Sequence, residues 1–211
     1  MTKKGIDVSK WQGSIDWPQV KNAGIEFAMI RLGYGSSNGD KCKTDNYYAA
    51  NMAGAGRARI QTGVYFYSYA RSVKAAEKEA EYVLKELTPY QKQLAYPVAY
   101  DLEDESQKGL GKNILTDMVI AFCSVVAKAG YPPAFYCNLD WCRHRLNMQA
   151  LQEYDLWLAY WAKEASKEHR HSMWQYTNSG NVPGIAGNVD MNVSYKDYAA
   201  IKKYKAKREA L

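Results

Sequence analysis

Eight short apolar runs punctuate this chain, and helix-patterned segments fill the first five gaps between them. The runs lie at 4–8, 27–32, 63–69, 96–102, 134–137, 156–161, 173–176 and 188–192. Several are apolar on both faces, as in Phe27-Ala28-Met29-Ile30 and Tyr96-Pro97-Val98-Ala99-Tyr100, the pattern of parallel strands covered on both sides. In the gaps, Ala76, Ala80, Val83, Leu84 and Leu87 recur at helical spacing, as do Leu115, Met118, Phe122, Val125 and Val126. The second stripe stops at Gly130 and Pro132-Pro133, and Asp16-Trp17-Pro18 marks a helix start with proline in the first turn. Segments 45–55 and 138–151 supply two more helices. The last gaps, 162–172 and 177–187, are short, and the second is rich in Gly, Asn and Pro. Neither easily holds a crossover helix. Five strand–helix units followed by three strands point to a single α/β domain closed as a TIM-like barrel. A doubly wound open sheet is the alternative, but its glycine fingerprint is missing. The barrel is assigned to 1–200, and 201–211 to a basic tail or the start of a linker.

The totals narrow the partners. A length of 211 residues suits one domain with a substantial core, and 47% hydrophobic with 24% charged residues excludes a disordered chain. The net charge of +6 draws the protein towards polyanions, among them nucleic acid, anionic membrane and bacterial cell wall. No nucleic-acid motif accompanies the basic residues. Their densest run, Lys202, Lys203, Lys205, Lys207 and Arg208, reads as a solvated helix face or linker. Residues 1–5 are polar, and neither a signal-type apolar segment nor an 18-residue apolar run follows. The expectation is cytoplasmic synthesis without membrane insertion. Action outside the cell would then require release by lysis or a removed leader. The four cysteines, Cys42, Cys123, Cys137 and Cys142, have no CxxC spacing and are expected as thiols. The 18 tyrosines suit a wet, sugar- or peptide-lined groove, or simply replace phenylalanine in the core.

The sharpest chemical signal is Tyr100-Asp101-Leu102-Glu103-Asp104-Glu105 at the end of an apolar strand. Side chains alternate along a strand, so Asp101 and Glu103 face the same way, roughly 6.6 Å apart in rise. Facing the barrel interior, they would be partly desolvated and would repel each other, and both effects raise a carboxyl pKa. One protonated acid beside one ionised carboxylate is the pairing glycoside hydrolysis uses. Asp7 ends the first strand and Asp190 lies on the last, and these strands are neighbours when a barrel closes. Helix capping or loop ion pairing is the competing account of each acid.

In order along the chain stand Gly5-Ile6-Asp7-Val8-Ser9-Lys10-Trp11-Gln12-Gly13, Arg31-Leu32-Gly33-Tyr34-Gly35, Gly63-Val64-Tyr65-Phe66-Tyr67-Ser68-Tyr69-Ala70, Asp101-Leu102-Glu103, Met173-Trp174-Gln175-Tyr176 and Val189-Asp190-Met191-Asn192. Their order and spacing closely resemble the glycoside hydrolase family 25 lysozymes, the Chalaropsis-type muramidases, from about residue 4 to residue 198. The resemblance implies an irregular (β/α)5β3 barrel. It implies hydrolysis of the β-1,4 bond between N-acetylmuramic acid and N-acetylglucosamine in bacterial peptidoglycan, as an endolysin or autolysin does. By position, Glu103 would be the general acid, and Asp101 would stabilise charge or orient the 2-acetamido group. Asp7 and Asp190 would hold or tune that pair. The family retains configuration, by an enzyme nucleophile or by the substrate's acetamido group, and the second route is preferred here. The family often has histidine where Phe66 or Tyr67 falls; this chain does not.

Tyr67, Tyr136, Trp161 and Trp174 fall near strand ends and are candidates to line a sugar groove, with ordinary barrel packing as the other reading. His169 and His171 stand in a polar loop and His144 on a basic helix face, none with an obvious metal partner. No metal or cofactor is expected. A monomer is expected, possibly continuing into a wall-binding module. A non-catalytic peptidoglycan-binding barrel is the alternative function. A chitin-type glycosidase would need a longer DxxDxDxE pattern, which 95–105 does not supply.

Overall fold

A computed structural model describes residues 2–200; the basic tail expected at 201–211 lies outside the described residues. The strands are β1 (Lys3–Val8), β2 (Phe27–Tyr34), β3 (Lys43–Thr44), β4 (Gln61–Tyr67), β5 (Leu94–Asp101), β6 (Pro133–Asn138), β7 (Asp155–Ala159), β8 (Met173–Gly180) and β9 (Val189–Ser194). The helices are α1 (Trp17–Asn22), α2 (Tyr48–Arg57), α3 (Val73–Leu87), α4 (Lys112–Lys128) and α5 (Leu139–His144). All the strands except β3 close into a barrel, with β1 bonded to both β2 and β9. A helix follows each of β1, β2, β4, β5 and β6, and none separates β7, β8 and β9. This is the (β/α)5β3 arrangement. The short β3 pairs antiparallel with the end of β2 and has no counterpart among the apolar runs.

The barrel departs from a fully parallel one at its last strand. From β1 through β8 neighbours run parallel, whereas β9 is antiparallel to both β8 and β1. The short β8–β9 connection explains this: without a crossover segment the chain returns directly alongside β8. The reversal puts the start of β9, rather than its end, at the mouth where the parallel strands finish.

Local chemistry accounts for the helix limits. Asp16 accepts the Gln19 N–H at 3.1 Å to start α1, and Ser72 accepts the Ala75 N–H at 3.2 Å to start α3. The helix expected over 138–151 ends at His144. Beyond it the Asn147 N–H turns to Thr116 Oγ1 of α4, at 2.9 Å, so this donor leaves the helical ladder for a tertiary partner. The barrel interior is filled largely by aromatic rings, with Phe27 stacked on Tyr96 at 4.3 Å. A larger apolar layer separates strands from helices. Among the described residues no helix is long and apolar enough to cross a membrane.

Candidate active site

Along β5 the side chains alternate, so Tyr100 points to the helix layer, where it stacks on Phe122 at 4.3 Å, and Asp101 points into the barrel. Register places Asp101 beside Tyr67 of β4 and Tyr136 of β6. Strand β5 stops at Asp101, so Glu103 stands on the loop beyond it, with buried Leu102 facing the helices. On the opposite wall Asp7 is the direct partner of Asp190. All four acids line one cleft of about 200 Å³, together with Arg31, Tyr65, Tyr67, Tyr136, Trp157 and Gln175.

Their protonation follows from burial and mutual repulsion. Burial raises Asp7 well above the ordinary carboxyl range, and the Asp190 charge adds to this; hydrogen bonds from Asn192 and Gln175 oppose it. Asp190 is raised by burial and lowered by its hydrogen bond with Asp7. Burial and mutual repulsion thus disfavour two full charges on this pair. Burial also raises Asp101 well above its usual value, helped by the charges of Glu103 and Asp7 and opposed by Arg31. Its Oδ1 is buried and has no hydrogen-bond partner. Burial pushes Glu103 up to about 6, with Asp190 adding to the shift and the Tyr136 hydroxyl opposing it.

Gln175 organises the acids. Its Nε2 donates to Asp7 Oδ2 at 2.9 Å and more weakly to Asp190 Oδ2 at 3.4 Å. Its Oε1 accepts from the Tyr136 hydroxyl at 3.1 Å and the Trp161 indole at 3.0 Å. Two donors on one side and two acceptors on the other fix the amide's orientation. Asn192 repeats the device: its Nδ2 donates to Asp7 at 2.8 Å while its Oδ1 accepts from Trp157 at 2.8 Å. Arg31 is anchored by Asp45, with Nε at 2.8 Å and Nη2 at 2.6 Å from one carboxylate oxygen.

The expected aromatics divide. Tyr67 and Tyr136 line the cleft. Trp161 stands at the rim, 58% exposed and tied to Gln175. Trp174 falls between Met173 and Gln175 on β8 and so faces away from the cleft, its indole donating to the Tyr160 carbonyl at 2.7 Å. Trp157 and Tyr65 contribute to the lining instead, and Trp11, 75% exposed, joins it from outside. Arg31, Trp157, Gln175 and Asn192 also belong to the site, although none is marked as a site residue by the sequence alone. The signal for Gln175 was a polar residue in phase with inward-facing Met173.

Elsewhere, a wider surface depression of about 750 Å³ lies between α1 and α2. Its charged lining is Asp16 and Arg57, and Asp16 already caps α1. His171 Nδ1 lies 2.8 Å from the His169 carbonyl oxygen, and among the described residues no group of three or more His, Cys, Asp or Glu could hold a metal ion.

Fold and mouth together define a (β/α)5β3 barrel whose concentrated chemistry, among the described residues, is that of carboxylates. The chain belongs to the glycosyl hydrolases family 25, whose family model matches residues 6–185. Lysozyme M1 of Streptomyces globisporus is 27% identical over 202 residues, covering 90% of this chain and 66% of that protein. The autolytic lysozyme of Clostridium acetobutylicum is 28% identical over 192 residues, covering 90% and 55%. The structure of the modular autolysin LytC of Streptococcus pneumoniae with a synthetic peptidoglycan ligand superposes with a TM-score of 0.78 at 28% identity, covering 92% of this chain and 47% of that one. The chain thus spans about half to two thirds of the length of these relatives.

Proposed function

We propose that this barrel is an N-acetylmuramidase acting at the bacterial cell wall, cutting the β-1,4 bond between N-acetylmuramic acid and N-acetylglucosamine. The observation that carries the reading is the Asp101–Glu103 pair in the cleft, two carboxyls whose pKa values are both raised by burial. Family membership supports a glycosidase, and the names of the lysozyme and autolysin relatives support peptidoglycan as substrate.

Glu103 is the general acid that protonates the leaving oxygen of N-acetylglucosamine. Its pKa of about 6 leaves it able to give up a proton near neutrality. Asp101 accepts the 2-acetamido N–H of the muramic residue through Oδ1, the buried oxygen that has no hydrogen-bond partner. Held this way, the acetamido oxygen attacks the anomeric carbon as the glycosidic C–O bond breaks, giving a cyclic oxazolinium ion. Water, deprotonated by Glu103, then opens that ring with overall retention. Asp7 and Asp190, tied by Gln175 and Asn192, hold negative charge beside the developing cation. Tyr67, Tyr136 and Trp161 supply faces for the sugar rings.

Digestion of purified peptidoglycan by the unsubstituted chain and by Glu103→Gln, followed by borohydride reduction and mass spectrometry, tests this. The expected result is reduced N-acetylmuramic acid ends from the first protein and none from the second. Reduced N-acetylglucosamine ends would reassign the bond. Wall binding without new ends from either protein would make the barrel a non-catalytic binder.

A further inference from the structure

Cys137 and Cys142 take no part in the chemistry above. Cys137 follows Tyr136 on β6, so it points to the helix layer while Tyr136 faces the cleft. The chain then turns at Asn138, whose side chain accepts the Trp141 N–H at 3.1 Å and starts α5. This tight strand-to-helix turn carries Cys142 back over Cys137. The two sulfurs lie 3.4 Å apart, and both thiols are buried. A disulfide needs an S–S distance of about 2.05 Å, a further approach of little more than an ångström.

A second observation concerns access. Cys142, though only 2% exposed, lines a surface cavity of about 530 Å³ whose wall also carries Lys112, Arg143 and His169, with Glu168 paired to Arg143. One sulfur of the pair thus adjoins a path to solvent, whose wall sets Lys112 and His169 beside the Arg143–Glu168 pair and is completed by Leu146, Asn147 and Met148. Cys123 offers nothing similar: its thiol donates to the Ala134 carbonyl at 3.6 Å and is buried.

We infer that Cys137 and Cys142 form an oxidation site, closed to an intrachain disulfide by a small carboxylate-bearing disulfide of the glutathione type. Cys142, deprotonated, attacks one sulfur of the small disulfide and expels one thiolate, leaving a mixed disulfide on the protein. Cys137 then loses its proton and attacks the Cys142 sulfur, expelling the second thiolate, which is protonated. The protein loses two protons and two electrons, and one small disulfide becomes two small thiols. The new bond ties α5 to β6 directly behind Tyr136. The closed loop is short, so stabilisation falls at the low end for disulfides and raises the thermal midpoint by about 5 °C.

The test is incubation of the native chain with oxidised glutathione, then alkylation in denaturant and peptide mapping. Expected is a peptide joining Cys137 to Cys142 that dithiothreitol releases, with a thermal midpoint about 5 °C above that of the reduced protein. Cys142→Ser should give neither the link nor the shift. Because that substitution alters a buried position, mapping of the unsubstituted protein decides the matter. Free thiols at both positions after oxidation, or a glutathione adduct persisting on Cys142 without closure, would overturn the proposal.

Discussion

Proton placement in the mouth is decided one side chain at a time. In the proposed mechanism Glu103 must be protonated to act as an acid, and burial pushes its pKa up to about 6. The rate should therefore fall as pH rises through that value, giving the alkaline limb of kcat/KM. After burial itself, the Asp190 charge does most to hold Glu103 up. Removing that charge in Asp190→Asn lets Glu103 ionise more easily. The alkaline limb should move to lower pH, and an unmoved or higher limb would show that Asp190 does not face Glu103 in the working enzyme. The acids were legible from strand ends, but the neutral groups that hold them were not. Gln175, Asn192 and Trp157 have no titratable atom and occur in every kind of protein interior. What marks them is the pairing of each donor and acceptor across β6, β7, β8, β9 and β1, which only the closed barrel brings together.

Helix α3 sets the shape of the mouth through Glu79, which is fully buried with no cation among its hydrogen-bond partners. Its carboxylate accepts from Ser68 Oγ at 2.7 Å, the Tyr100 hydroxyl at 3.0 Å and the Tyr69 N–H at 3.3 Å. Ser68 Oγ already accepts the Ala70 N–H at 3.1 Å and Gln107 Nε2 at 3.2 Å, so its own proton goes to Glu79. The ends of β4 and β5 are thereby fastened together beside Tyr67 and Asp101. Burial pushes Glu79 up to about 7, against the hydrogen bonds that favour its charge. With its folded pKa raised from 4.5, the folded protein binds more protons than the unfolded chain between those values. Stability carried by this group is full below 4.5 and is lost as pH rises through about 7. Relative to Glu79→Gln, the unsubstituted protein should lose about 3 kcal/mol across that window, read by urea unfolding at several pH values. A constant difference would mean that Glu79 does not titrate. Gly35, after β2, completes the lock: a Cβ there would overlap the Glu79 carboxylate. Gly35→Ala should cost about 1–3 kcal/mol, seen as a lower urea midpoint with unchanged slope. Strand positions were readable here because an apolar run is local. The early end of α5 was not, since Thr116, which takes the Asn147 N–H, is remote in sequence. For Trp174, nearness to a strand end leaves both groove lining and packing open, and the two-residue alternation along β8 turns it outward.

Charge acts on the whole molecule. The chain carries +6 at pH 7, while the four acids of the cleft sit inside a basic exterior, Asp7 and Asp101 buried and Asp190 and Glu103 partly so. These two distributions answer to salt differently. Exterior charges act on a distant polyanion through solvent and are screened over about 10 Å at 0.1 M ionic strength. The acids of the cleft interact at close range through protein and are screened far less. Raising ionic strength should therefore slow lysis of intact walls bearing anionic polymers, through slower arrival and weaker retention. Turnover of a short soluble glycan at saturation should stay nearly constant, since the chemical step lies inside the cleft. Parallel assays over one salt series separate the effects. Loss of turnover on both substrates would place the salt sensitivity in the cleft. Wall lysis indifferent to salt would mean that the net charge does not steer this barrel to its substrate, leaving recognition to the cleft and its aromatic rim.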